Sequence, residues 1–216
     1  MIDPLEVAER VQAIRSDITS LTSSSVAIVA VTKTFGHDAL RAAFVAHCDA
    51  VGENYAQELL AKVAEAPIDL PVHFIGAIQS NKVKQLAPYV ALWQGVDRPS
   101  AISEIGKRAP GAEILLQVNT TGEDSKSGAE SSEVESLLGQ SIDAGLLVRG
   151  LMTIGPTSGS AAETKKAFSS LRSLADSLGL TECSMGMSED YRIAVECGST
   201  MVRIGSRLFG SRPAAH

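Results

Sequence analysis

Val26-Ala27-Ile28-Val29-Ala30-Val31-Thr32-Lys33-Thr34 sets six apolar residues directly before a polar turn that carries one lysine. A Val- and Ile-rich run of this length, without alternation, reads as a strand buried on both faces, as in a parallel sheet covered by helices. It is far too short to cross a bilayer. Upstream, Asp3-Pro4-Leu5-Glu6 has the form of a helix start, with Asp3 as N-cap, Pro4 in the first helical position and Glu6 closing a capping box. Val7, Val11, Ile14, Ile18 and Leu21 then recur at helical spacing as one apolar stripe, and the Ser/Thr cluster at 22–25 ends it.

Downstream the same unit repeats. Residues 50–52, 72–75, 92–96, 114–118, 148–153, 181–185 and 201–204 have strand character, and stretches of helix length lie between them. Phe168, Leu171, Ala175 and Leu178 mark the apolar face of one such helix, which Gly179 ends. With residues 26–31 included the count is about eight, the number that closes a (β/α)₈ barrel. The expected fold is therefore α/β: a single TIM-type barrel preceded by an N-terminal helix, one domain over residues 1–216. An open doubly wound sheet is the alternative, but no G-x-G-x-x-G follows any strand.

Composition narrows the function. A formal charge of −6 without a basic stripe, and only 4% aromatic residues, exclude an ordinary nucleic-acid surface. The acidic start lacks the regions of a signal peptide, so a cytoplasmic protein without a membrane segment is expected. Cys48, Cys183 and Cys197 are scattered and read as reduced, core-packing thiols. His37, His47, His73 and His216 show no ligand spacing, and no metal site is expected.

Polar residues follow the apolar runs, at the strand ends where barrels build their sites. They are Thr32-Lys33-Thr34, Glu53-Asn54-Tyr55, Gln79-Ser80-Asn81-Lys82, Asn119 with Lys126, Met152-Thr153, Ser188, and Arg203 with Gly205-Ser206. Lys33 has two readings. Desolvated in a dry barrel mouth, its amine is neutral and attacks aldehydes; otherwise it snorkels to solvent. Gly205-Ser206 likewise offers backbone N–H groups to a phosphate, or Gly205 merely permits a tight turn. Asn81 and Lys82 are candidates to cap the next helix, with Gln79 lining the mouth as the alternative. Glu53 is either an acid/base or the partner of a cation.

Seven segments, in order, resemble the pyridoxal phosphate homeostasis protein family, related to the barrel domain of bacterial alanine racemase. They are residues 30–34, 52–58, 73–82, 125–128, 150–153, 184–188 and 198–210, so the resemblance spans nearly the whole chain. It implies pyridoxal 5′-phosphate as cofactor, held as an internal aldimine on Lys33. Ser188 and the backbone of Gly205 and Ser206 would cradle the phosphate. Arg203 would face the pyridine nitrogen, and Asn54 would lie beside the ring. The chain departs from the family pattern at Thr32, Phe35 and Ala77; at Phe35 a proline-containing turn is usual.

Two functions follow from the resemblance: a carrier in intracellular vitamin B6 homeostasis, or a racemase-like enzyme. The carrier, a monomer with apo-forms of pyridoxal-phosphate enzymes as partners, is the expectation. An arginine at the pyridine nitrogen disfavours its protonation and weakens the ring as an electron sink, but the resemblance implies the same arginine in alanine racemases, so this narrows the chemistry without separating the two. Racemisation needs an acid or base on each face of the substrate. The sequence ends at His216, just after the barrel, so the second domain that completes the racemase site is not expected. Among Tyr55, Tyr89 and Tyr191, only Tyr55 adjoins the site in sequence.

Overall fold

Strand β1 (Ala27–Val31) has a parallel partner on each side. On one side lies β2 (Ala50–Glu53), with Val51 opposite Ala30; on the other lies β8 (Met201–Ile204), with Ile204 opposite Ala30. A first strand bonded to the last leaves no sheet edge. The remaining strands, β3 (Val72–Phe74), β4 (Val90–Val96), β5 (Glu113–Gln117), β6 (Leu147–Met152) and β7 (Glu182–Met187), pair in chain order. The sheet is a closed eight-stranded barrel, and the open-sheet alternative falls. This computed structural model describes residues 2–210; Met1 and His216 lie outside the described residues.

The helices are α1 (Pro4–Leu21), α2 (His37–Val45), α3 (Ala56–Glu65), α4 (Ser80–Leu86), α5 (Pro99–Arg108), α6 (Val134–Asp143), α7 (Ala161–Ser177), α8 (Tyr191–Glu196) and α9 (Ser206–Phe209). In α1, Val7, Val11, Ile14 and Ile18 are buried, as their spacing predicts, and Asp3 accepts the Leu5 N–H at 2.9 Å. The expected capping box does not form. Glu6 pairs instead with Arg10, four residues on, because an opposite charge one turn away competes for its carboxylate. A capping box does start α7, between Ser160 and Glu163. Phe168 and Leu171 on that helix are sealed from solvent, and each is worth about 1.5–3 kcal/mol in burial.

Side chains alternate across the barrel wall. Ile28, Val51, Trp93, Ile114, Leu116, Leu151, Met185 and Val202 face the helices and make the main core. Val29, Ala50, Leu92, Leu115, Met152 and Met201 point inward and make a small second core. That inner core does not fill the barrel; fully buried Gln94 and Ser184, with Arg203 and His73, take up the rest.

Cys48 and Cys183 are buried, and burial pushes their thiols up to about 12 and about 11. Cys197 packs against the edge of the main core. It is half-buried beside Ser169 Oγ, at 3.5 Å. Among the described residues no helix is long and apolar enough to cross a membrane, and no group of three His, Cys, Asp or Glu converges on a metal-sized space.

Candidate functional site

Beyond β1 the chain bends at once. The Thr32 N–H still bonds to Gly52 O on β2, at 3.1 Å, and Phe35 N returns to Thr32 O at 3.1 Å, so Lys33 and Thr34 form the tip of a tight turn. Thr34 sits at φ 69°, a left-handed conformation that a β-branched residue adopts only under constraint. The constraint lies beneath it. The Thr34 N–H donates to the Glu58 carboxylate, which accepts from Lys62 Nζ at 2.8 Å. Lys62 Nζ also donates to Glu53 Oε1 at 2.6 Å and to Thr32 O at 2.9 Å, while Thr32 Oγ1 donates to Glu53 Oε1 at 2.6 Å. On the other flank, the Phe35 ring packs against Phe209 with centroids 5.3 Å apart. At the position where the resemblance expects a proline-containing turn, this chain ties its turn to α9 by an aromatic pair.

Glu53 is thus the partner of a buried cation. Burial pushes its carboxyl above the usual carboxylate range, and Lys62 pulls the other way without cancelling that push. Its second oxygen, Oε2, is buried and has no partner among the described residues.

Lys33 is half-buried and opens onto a cavity of about 500 Å³ at the C-terminal ends of the strands. Arg203, Ser188, Gly205, Ser206 and Lys126 share its lining, with Val31, Phe35 and Ile75 as apolar wall. Gly186, at φ 93°, delivers the Ser188 segment. A Cβ there would stand 2.5 Å from Ala194 Cβ, so only glycine lets the end of β7 turn this closely over α8. Ser188 Oγ then accepts from two backbone N–H groups, those of Gly205 and Arg207, each at 3.4 Å. Bonds of that length leave both donors lightly engaged and open to a stronger acceptor. Gly205 has φ −119°, and a Cβ on it would meet Val31 at an ordinary 3.5 Å. The tight-turn reading therefore has no support here.

Arg203 enters from the inner face of β8 and is almost wholly buried. Its Nη1 donates to Ser184 Oγ at 2.6 Å and its Nη2 to Thr153 O at 2.7 Å. Burial lowers its pKa to about 10, against the favourable field of Asp190, so the guanidinium stays charged at neutral pH. Asp190 also lines the cavity and accepts the Met187 N–H at 2.5 Å; burial raises its pKa.

Other strand-end residues do different work. Lys126 Nζ lies 3.0 Å from Glu123 and donates to Gly155 O, while Glu123 accepts from Thr157 Oγ1 at 2.8 Å. These bonds tie the loop after β5 to the loop after β6, and they hold the Glu123 carboxyl down to about 2. Asn119 folds its own loop, accepting from the N–H groups of Thr121 at 3.2 Å and Gly122 at 3.1 Å. Gln79 stands at the N-cap of α4 without a side-chain bond, and Asn81 and Lys82 lie inside that helix. Neither the capping role nor a lining role is seen for them. Asn54 is half-buried at the end of β2 and outside the cavity lining. Its carbonyl is crossed closely by Gly76, where a Cβ would sit 2.0 Å away. Sequence reasoning passed over Asp190 and the 154–157 wall; Gly155-Pro156 was the available turn signal after β6.

Amine, guanidinium and anion-ready N–H groups around one cavity fit a small molecule carrying a carbonyl and a phosphate. The cavity size lies in the range of small-molecule sites. Residues 2–213 match the family model of the alanine racemase N-terminal domain. The chain is 40% identical over 199 residues to the pyridoxal phosphate homeostasis protein of Pseudomonas aeruginosa, covering 88% of this chain and 86% of the relative. It is 39% identical over 214 residues to that of Schizosaccharomyces pombe, covering 93% and 90%. Among solved structures, PipY of Synechococcus elongatus with pyridoxal phosphate bound superposes with a TM-score of 0.82 at 33% identity, covering 94% of this chain and all (100%) of that one. Alanine racemase of Clostridium difficile superposes at 0.76 with 16% identity, over 95% of this chain and 60% of that one, a likeness of fold alone.

Proposed function

Because the chain belongs to the alanine racemase N-terminal domain family, and within it to the pyridoxal phosphate homeostasis proteins, we propose that its barrel mouth holds pyridoxal 5′-phosphate on Lys33 and serves cofactor homeostasis. The carrying observation is the convergence on one cavity of the Lys33 turn, buried Arg203 and Ser188, whose hydroxyl gathers the Gly205 and Arg207 N–H groups. Bound pyridoxal phosphate supplies an aldehyde that condenses with amines and a ring that withdraws electrons from them. Lys33 is the amine to which that aldehyde attaches. Ser188, Gly205 and Ser206 hold the phosphate, and Arg203 faces the ring nitrogen. Val31 and Ile75 supply apolar wall, and Asn54, just past the end of β2, lies beside the ring.

A carrier that passes its cofactor to apo-enzymes fits this site better than a catalyst. Racemisation requires a second acid or base opposite the lysine. The Tyr191 hydroxyl donates to Asp17 on α1 at 2.5 Å, and Tyr55 and Tyr89 are exposed, outside the cavity lining. One observation favours the enzyme reading: Asp190, a cavity carboxyl with a raised pKa, has the character of an acid. Amino-acid α-proton exchange in deuterated water with the loaded protein separates the two. Exchange at background level, with transfer of the cofactor to an added apo-enzyme, supports the carrier. Repeated turnover that disappears in Lys33→Ala makes the protein an enzyme.

A further inference from the structure

The Arg203–Ser184 bond is the first link of a longer chain. The Ser184 hydroxyl donates to Gln94 Oε1 at 2.7 Å, and Gln94 Nε2 lies 2.9 Å from His73 Nδ1. These residues come from β8, β7, β4 and β3, and their side chains cross the barrel interior from mouth to base. At the base His73 borders a second cavity with Glu113 and Met201, among the first residues of their strands.

The proton order along the chain is determined. Arg203 only donates, so Ser184 Oγ accepts from it and must give its single proton to Gln94 Oε1. Gln94 Nε2 then donates to His73 Nδ1, whose ring proton sits on Nε2. Turning the Gln94 amide over would leave the Ser184 proton without an acceptor. Burial holds the pKa of His73 down to about 4, so its Nδ1 remains an acceptor at neutral pH.

Packing does not require these groups. Barrel interiors are ordinarily filled by layers of branched apolar side chains. A buried polar chain is tolerable only when every member is bonded, and apolar residues of similar volume would serve stability as well. What the chain does supply is a fixed orientation for a guanidinium at the end of a flexible stem. With Nη1 held by Ser184 and Nη2 by Thr153, the remaining N–H groups of Arg203 keep one direction.

We propose that Ser184, Gln94 and His73 are positioning residues that, through this relay, aim Arg203 at the cofactor's ring nitrogen. The proposal rests on the cofactor reading of the cavity, and its test separates the two.

The variants are Gln94→Met, which keeps volume and removes the bonds to Ser184 and His73 together with a 3.1 Å bond from Nε2 to Met201 Sδ, and Ser184→Ala, which removes one hydroxyl. Leu115→Ala, in the inner core but outside the relay, is the packing control. In the cofactor-free protein, proton exchange at the Arg203 guanidinium is followed by NMR. In protein loaded with ¹⁵N-labelled pyridoxal phosphate, the ring-nitrogen resonance is followed as well. Both relay variants are expected to speed guanidinium exchange by roughly tenfold or more, the scale of one lost charge-assisted bond. Both are also expected to shift the ring-nitrogen resonance, while Leu115→Ala lowers stability and moves neither signal. Unchanged signals in folded relay variants overturn the proposal, as does an equal shift in Leu115→Ala. If wild-type protein takes up no cofactor, the functional reading has failed, and the proposal as stated falls with it; guanidinium exchange then decides whether the relay still orients Arg203.

Discussion

Lys62 Nζ lies 2.6 Å from Glu53 Oε1, and the two side chains are only 6% and 0% exposed. Through Glu58 and Thr32 this pair anchors the strained Thr34 turn beside Lys33. Removing one partner of a buried ion pair strands the other charge, so Lys62→Met is expected to cost about 3–5 kcal/mol in chemical denaturation. Adding Glu53→Leu to that variant is expected to restore most of the loss. A single variant within about 1 kcal/mol of wild type, the range of exposed pairs, would show that the pair does not anchor the turn.

Stability is expected to depend on pH through His73. Its folded pKa, about 4, lies below the unfolded value of 6.5 because the ring is buried. The unfolded chain therefore binds the proton first, and stability falls as pH drops from 6.5 towards 4, by about 3 kcal/mol in total from this group. Glu53, whose pKa is raised in the fold, works in the opposite sense and gains stability as it takes up its proton. His73→Asn is expected to flatten the loss between pH 6.5 and 4 in a series of denaturant titrations. An identical slope in the variant would place the acid sensitivity elsewhere.

Ser188→Ala removes the hydroxyl on which the Gly205 and Arg207 N–H groups converge. One hydrogen bond to a charged group is worth about 1.5–3 kcal/mol, so affinity for pyridoxal phosphate should fall roughly ten- to a hundredfold. Pyridoxal, which has no phosphate, should bind wild type and variant alike. Equal losses for both ligands would remove Ser188 from the phosphate site.

Much of the barrel was legible because buried parallel strands write themselves as apolar runs. β8 begins at Met201 and ends at Ile204, as its run predicts, while β7 runs two residues past its apolar run to Met187, across Gly186 at φ 93° and a shift of register against β8. Lys33 and Arg203 were legible for the same reason, since Lys33 closely follows a buried run and Arg203 interrupts one near its end. Asn54 and Gln79 occupy equivalent positions in sequence yet stay out of the cavity. The direction of a residue past a strand end depends on the local turn and on close approaches such as Gly76 over the Asn54 carbonyl. The Glu53–Lys62 pair joins the end of one strand to the helix after it, and the Gln94–Ser184 bond joins β4 to β7. The first showed in sequence only as an unnamed cation partner for Glu53; the second, 90 residues apart, leaves no mark in any local window.

Lys33 is the residue on which cofactor binding depends, and borohydride reduction tests that most directly. The protein is loaded with pyridoxal phosphate, reduced, digested and mapped by mass spectrometry. The mass of the reduced cofactor is expected on the peptide containing Lys33, with Lys33→Ala folding normally and carrying none. A modification centred on Lys126, which shares the cavity, or on Lys82, in place of Lys33, would contradict the account.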